Sequence, residues 1–257
     1  MEYVPTYDFV TIATLIGAGF LGAFIDSIVG GGGLITVPSL MTIGMPMPML
    51  LGTNKLSSSC GAVTSFLNFW RAGKITKAVF PLMLLSFFGS MAGASCVYLI
   101  PEKILKSIIV CALVAVAMYT FFRKDWADMP VKEKMGWGTL IGASLIAAGF
   151  GFYDGFFGPG TGSFMIFGFL FLGFDFLTAA GNAKALNFAS NIGAFIAFGA
   201  GGSVIWGYGV FMAPAMILGA YCGSKLAIKK GASYVRPLFL IVTTLLIGKQ
   251  VWEIFVK

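Results

Sequence analysis

The chain is dominated by uncharged apolar runs: residues 9–25, 27–54, 56–70, 78–101, 107–122, 135–153, 155–174 and 185–224. A helix that crosses a bilayer needs about 20 apolar residues at roughly 1.5 Å each. The 185–224 run, as one helix, would be roughly 60 Å long, twice a hydrocarbon core of about 30 Å. It must fold back, and Gly199, Gly201 and Gly202 mark the place. Residues 237–256 form a last span, with Lys249 and Glu253 near its end, where long side chains can snorkel. The fold class expected is an all-α membrane protein, a polytopic helical bundle.

Composition supports this reading. Of 257 residues, 58% are hydrophobic and 11% charged, against about a quarter charged in soluble domains. The net charge of +7 sits in short clusters between apolar runs, which suits orientation in a membrane and not nucleic-acid binding. Cys60, Cys96, Cys111 and Cys222 lie singly in apolar stretches and there is no histidine. No zinc or haem site, and no cofactor, is expected. Residues 1–10 carry Glu2 and Asp8 and no basic residue, so the first run should remain as a spanning helix and not act as a signal peptide.

Two segments are interrupted. Leu34 to Leu51 contains Pro38, Gly44, Pro46 and Pro48, and Gly162 to Leu177 follows Gly158-Pro159-Gly160. Neither suits a straight, full-length helix. Interruptions at matching places in two halves are a pointer to a transporter binding site. The halves do match: Asp26 and Asp154, Gly30 and Gly158, and Gly32 and Gly160 each differ by 128. Lys55 and Lys184 differ by 129, as do Gly73 and Gly202, while Gly89-x-x-x-Gly93 and Gly219-x-x-x-Gly223 differ by 130. Charged and glycine positions in one register indicate an internal duplication: residues 1–122, a linker at 123–135, and residues 136–257. The two GxxxG pairs read as close-packing surfaces.

Each half offers about five segments, and an odd number of crossings forces opposite orientations. If all ten cross, one side collects Arg71, Lys74, Lys77, Arg123, Lys124, Lys132, Lys134, Lys225, Lys229, Lys230 and Arg236. Only Lys103, Lys106 and Lys257 stand opposite. The positive-inside rule then places both termini outside the cytoplasm. If the interrupted segments re-entered instead, the 225–236 cluster would change sides.

Four ionisable residues lie within apolar stretches: Asp26, Lys55, Asp154 and Lys184. Each costs about 2.5–3.5 kcal/mol at a helix centre, so none should face lipid. Two Asp–Lys pairs holding the halves together would satisfy them. The lysines also open polar helix faces: Lys184 precedes Asn187 and Asn191, with Ser190 close by, while Thr53 and Asn54 precede Lys55 and Ser58. Such donor-rich faces suit a small oxyanion, and no carboxylate or carbonyl cage for a cation is evident. Gly31 and Gly32, and Gly160 and Thr161, precede helices whose freed amides could bind an anion. Asp26 and Asp154 are candidate proton-coupling groups.

These residues also carry a resemblance. Asp26-Ser-Ile-Val-Gly-Gly-Gly-Gly-Leu-Ile-Thr-Val-Pro38 with Thr53-Asn-Lys-Leu56 resembles the first repeat of the TauE/SafE sulfite-exporter family, the toluenesulfonate uptake permeases. Gly151-Phe-Tyr-Asp-Gly-Phe-Phe-Gly-Pro159 and Lys184-Ala-Leu-Asn-Phe-Ala-Ser-Asn191 are similar to its YfcA-type branch. The resemblance implies a multi-pass carrier of the bacterial inner membrane for sulfite, sulfonates or sulfoacetate-like anions. The second break reads Gly-Pro-Gly-Thr where the first has four glycines, so the two loops cannot bind a substrate identically.

The leading expectation is a secondary transporter of a small sulfur-containing anion. Its partners would be that solute and the lipid bilayer; a homodimer is compatible with the sequence. An anion channel or a small-carboxylate transporter is the alternative. A membrane enzyme lacks a histidine, a cysteine pair or a serine–base spacing, and a structural subunit would leave the buried lysines as struts.

Overall fold

Glycine and proline divide the apolar sequence into helices, as a computed structural model of the chain describes for residues 4–101, 103–105, 107, 108, 111 and 136–231. The expected spans at 107–122 and 237–256, the 123–135 linker and Arg236 lie largely or wholly outside the described residues. Helix α1 (Phe9–Val29) is capped by the Asp8 carboxylate, which accepts the Thr11 N–H at 2.8 Å. It ends at Gly30, whose φ of 75° is the left-handed conformation that stops a helix. Helix α2 (Gly33–Thr42) follows at once and carries Pro38. After Gly44 and Pro46 the chain enters α3 (Met47–Arg71). A 3₁₀ turn at Lys77–Val79 leads into α4 (Leu82–Val97).

The second half repeats the order with α5 (Trp137–Phe156), α6 (Thr161–Phe171), α7 (Phe176–Ala200) and α8 (Trp206–Lys230). Asp175 caps α7 by accepting the Leu177 and Thr178 N–H groups, each at 3.1 Å. The turn at 201–205 is where the 185–224 run was expected to fold back. The interrupted segments differ from expectation in extent. Met47 to Leu51 already belong to α3, because Pro46 and Pro48 suit a helix start.

Helices α2 and α6 have 10 and 11 residues, or about 15 Å, half a hydrocarbon core. By length and composition, α1, α4 with its leading turn, α5 and α8 can cross a membrane. Helices α3 and α7 have 25 residues each, long enough for the same path, but carry the polar stripes.

Contacts between elements fix their directions. Tyr208 at the start of α8 bonds through its hydroxyl to both backbone groups of Thr6. Further along, Gly219 and Gly223 press against the Phe20 and Phe24 carbonyls of α1. Helices α1 and α8 therefore run parallel. So do α3 and α8, with Thr53 accepting the Ile205 N–H at 2.9 Å and Asn68 donating to Ser224 at 2.7 Å. In the other group, Gly89 and Gly93 of α4 meet the Ala148 and Phe152 carbonyls of α5. Ser86 and Ser90 of α4 donate to the Leu186 and Ser190 carbonyls of α7. Helix α7 is antiparallel to α3: Gly52 faces Ser203, Phe66 stacks on Phe188, and Asn182 accepts the Thr76 N–H. Thus α1, α3 and α8 run one way and α4, α5 and α7 the other. Both GxxxG pairs serve close helix contact, as expected.

Candidate functional site

The two helix breaks meet. Gly30 sits so close to Gly162 that a Cβ there would lie 2.2 Å from the Gly162 carbonyl carbon. Ser163 stitches the breaks together: its N–H donates to the Gly30 carbonyl at 2.7 Å and its hydroxyl to the Val29 carbonyl at 2.8 Å. Gly33 packs on Pro159. The N-terminal ends of both half-length helices, Gly32–Gly33 and Gly160–Gly162, consequently line one cavity of about 50 Å³.

The ionisable residues pair across the halves. Lys55 Nζ lies 2.8 Å from Asp154 Oδ2, and Lys184 Nζ lies 2.7 Å from Asp26 Oδ2. Lys184 also donates to the Asp26 carbonyl. Each half thus supplies the countercharge of the other, and neither ammonium is left uncompensated in the apolar interior. The pairs are not equivalent. Lys55 and Asp154 have side chains only 4% and 3% exposed, and Asp154 also accepts the Ser190 hydroxyl at 2.6 Å. Lys184 is fully buried, but the Asp26 side chain is 25% exposed, and its second oxygen has the Gly32 N–H only at 3.4 Å.

Most of the residues singled out by sequence come together. Asp26, Gly32, Asn54, Lys55, Ser58, Asp154, Gly160, Thr161, Asn187 and Asn191 all line the cavity. Three do not. Thr53 is engaged with the Ile205 N–H at the start of α8. Gly31 lies buried in the first break, and Lys184 lies behind Asp26. The stripe expected from Lys184 through Asn191 is therefore split, with the amides facing the cavity and the ammonium turned to α1. Sequence reasoning missed Thr36, Gly22, Gly61 and Met216, which also line the cavity. Thr36 sits in the apolar stretch of α2 and carries no signal by spacing. Among the described residues no group of three His, Cys, Asp or Glu is placed to hold a metal.

This geometry defines a class: a multi-pass helical membrane protein with a small polar site, closed by crossed ion pairs, where two broken segments meet. The chain belongs to the TauE/SafE sulfite exporter family, whose model matches residues 15–249. A "Probable membrane transporter protein" of Haemophilus influenzae is 37% identical over 244 residues, covering 94% of this chain and 95% of that protein. A "Probable membrane transporter protein ORF9" of Sinorhizobium sp is 39% identical, covering 90% and 89%. The "Probable membrane transporter protein YfcA" of Escherichia coli K12 is 36% identical, covering 94% and 90%. No solved structure matches. The chain is a membrane transporter and not an enzyme.

Proposed function

We propose that the chain is a secondary transporter of a small anion, a sulfur-containing oxyanion or organosulfonate, in the bacterial inner membrane. The observation that carries this reading is the convergence of two half-helix N-termini, Gly32–Gly33 and Gly160–Gly162, on one cavity beside Lys55 and the Asn187 and Asn191 amides. Helix N-termini present unpaired N–H groups and the positive end of the dipole, which favour an anion. The volume of about 50 Å³ admits only a compact solute or a few water molecules. The family's name, sulfite exporter, agrees with a compact sulfur oxyanion.

Each carboxylate of the crossed pairs is a candidate proton acceptor during transport, Asp26 being the accessible one in this conformation. Opposite running directions of α1 and α5, and of α3 and α7, support an inverted repeat of residues 1–122 and 136–257 about the linker at 123–135. In inverted repeats, rocking of one half against the other gives alternating access to a fixed central site.

The test is thermal stabilisation of purified protein by sulfite, sulfoacetate, acetate and chloride. Sulfite or sulfoacetate should raise Tm most, and Asn187→Leu should abolish the rise without loss of monodispersity. Stabilisation by acetate alone would move the reading to a small carboxylate. An unchanged response in Asn187→Leu would remove the cavity from the account.

A further inference from the structure

Two buried oxygens of the cavity wall lack any hydrogen-bond donor: Thr36 Oγ1 and Asn54 Oδ1. Thr36 is 1% exposed and Asn54 7%. Hydroxyls within these helices commonly turn back on the carbonyl four residues earlier, as Ser27 does to Ala23, Ser59 to Lys55 and Thr64 to Cys60. Thr36 does not. Its methyl packs toward Gly22, where a Cβ would come within 2.5 Å of it. The third acceptor is Asp26. Its Oδ2 holds Lys184, while Oδ1 has only the long 3.4 Å approach of the Gly32 N–H. Asp26, Thr36 and Asn54 all line the same cavity, with Ser58.

Unclaimed oxygen acceptors beside a carboxylate are the chemistry of a hard-cation site. Charge points the same way. Asp26, Asp154, Lys55 and Lys184 sum to zero, so a bound anion leaves uncompensated negative charge in an apolar interior. A cation beside it offsets that charge, and a monovalent one balances a monoanion such as hydrogensulfite. The small cavity favours an ion of sodium's size, stripped of most of its water. We propose that the cavity takes a sodium ion beside the anion, held by Asp26 Oδ1, Thr36 Oγ1 and Asn54 Oδ1, and that this ion couples transport. The coupling rests on the anion reading above; the cation site stands on its own oxygens.

The experiment is ²²Na⁺ binding to the full-length protein in lipid nanodiscs, in choline buffer with and without potassium sulfite. Thermal stabilisation by potassium sulfite is measured in parallel. The wild type should bind sodium saturably, and at least tenfold more tightly with sulfite present, since coupling between two sites is reciprocal. Thr36→Val, which keeps the shape and removes the oxygen, should weaken sodium binding at least tenfold, and Thr36→Ser should retain it. Stabilisation by sulfite with no saturable sodium binding overturns the cation site and leaves the anion reading intact. So does sodium binding that is unchanged in Thr36→Val. Sodium binding lost in Thr36→Val, with no response to any oxyanion, upholds the cation site and removes the anion.

Discussion

Lys55 and Asp154 show how strongly single residues are constrained in this protein. Their side chains are almost wholly enclosed, so removing one leaves the other charged and unpaired in a medium of low polarity. Lys55→Met should cost about 3–5 kcal/mol and lower Tm. Asp154→Asn in the same background should recover most of the loss, because both charges are then gone and Ser190 still has a polar partner. A neutral single mutant would contradict the pairing. The equivalent change at Asp26 should be milder, since that side chain is a quarter exposed to the cavity. Sequence identified these four residues and their symmetric spacing. The partnership of Lys55 with Asp154, 99 positions away, was beyond spacing arguments because only tertiary packing brings α3 to the end of α5. The same holds at Gly30. Its glycine run is visible in sequence, but the reason no side chain fits there is the Gly162 backbone. Gly30→Ala also forces a left-handed φ on alanine. It should abolish monodisperse expression, whereas Gly17→Ala, with open space around it, should be tolerated; equal behaviour of the two in gel filtration would contradict the close approach.

Among the elements, the half-length helices were the most legible feature and their limits the least. Glycine and proline announced the interruptions, yet the last five residues of the first interrupted segment were drawn into α3, where Pro48 occupies a favourable early position. Helix starts follow ordinary capping chemistry. At Asp175 burial alone would raise the carboxyl pKa, but hydrogen bonds from Thr178 and Leu177 and the charge of Lys74 outweigh it and hold it below the ordinary 3.8. A depressed folded pKa contributes stability that is complete above the unfolded value and is lost as pH falls through the folded one. Asp175→Ala should therefore lower stability by about 1 kcal/mol at neutral pH, and the difference from wild type should shrink below about pH 4. A constant difference down to pH 2 would show that the cap is not the cause.

At the scale of the whole molecule, parallel α3 and α8 bring Arg71, Lys74 and Lys77 to the same end as Lys225, Lys229 and Lys230. The shared end follows from helix direction, independently of charge. The positive-inside rule assigns that end to the cytoplasm, so single cysteines at Lys74 and Lys229 should both resist an impermeant thiol reagent in whole cells; labelling of either from outside would reverse the orientation. The matched glycine and charge spacings were readable from sequence, whereas the interlocking of the helices, with α1 on α8 and α5 on α4, depends on contacts between residues some 60 to 200 apart. That interlocking brings both breaks to one cavity, and the account rests on an anion moving through it. Counterflow measures this directly: proteoliposomes preloaded with unlabelled sulfite are diluted into trace ³⁵S-sulfite. Saturable accumulation in wild type, lost in Asn187→Leu and inhibited by sulfoacetate, is the predicted result. Accumulation no greater than in empty liposomes, or equal in wild type and Asn187→Leu, would contradict it.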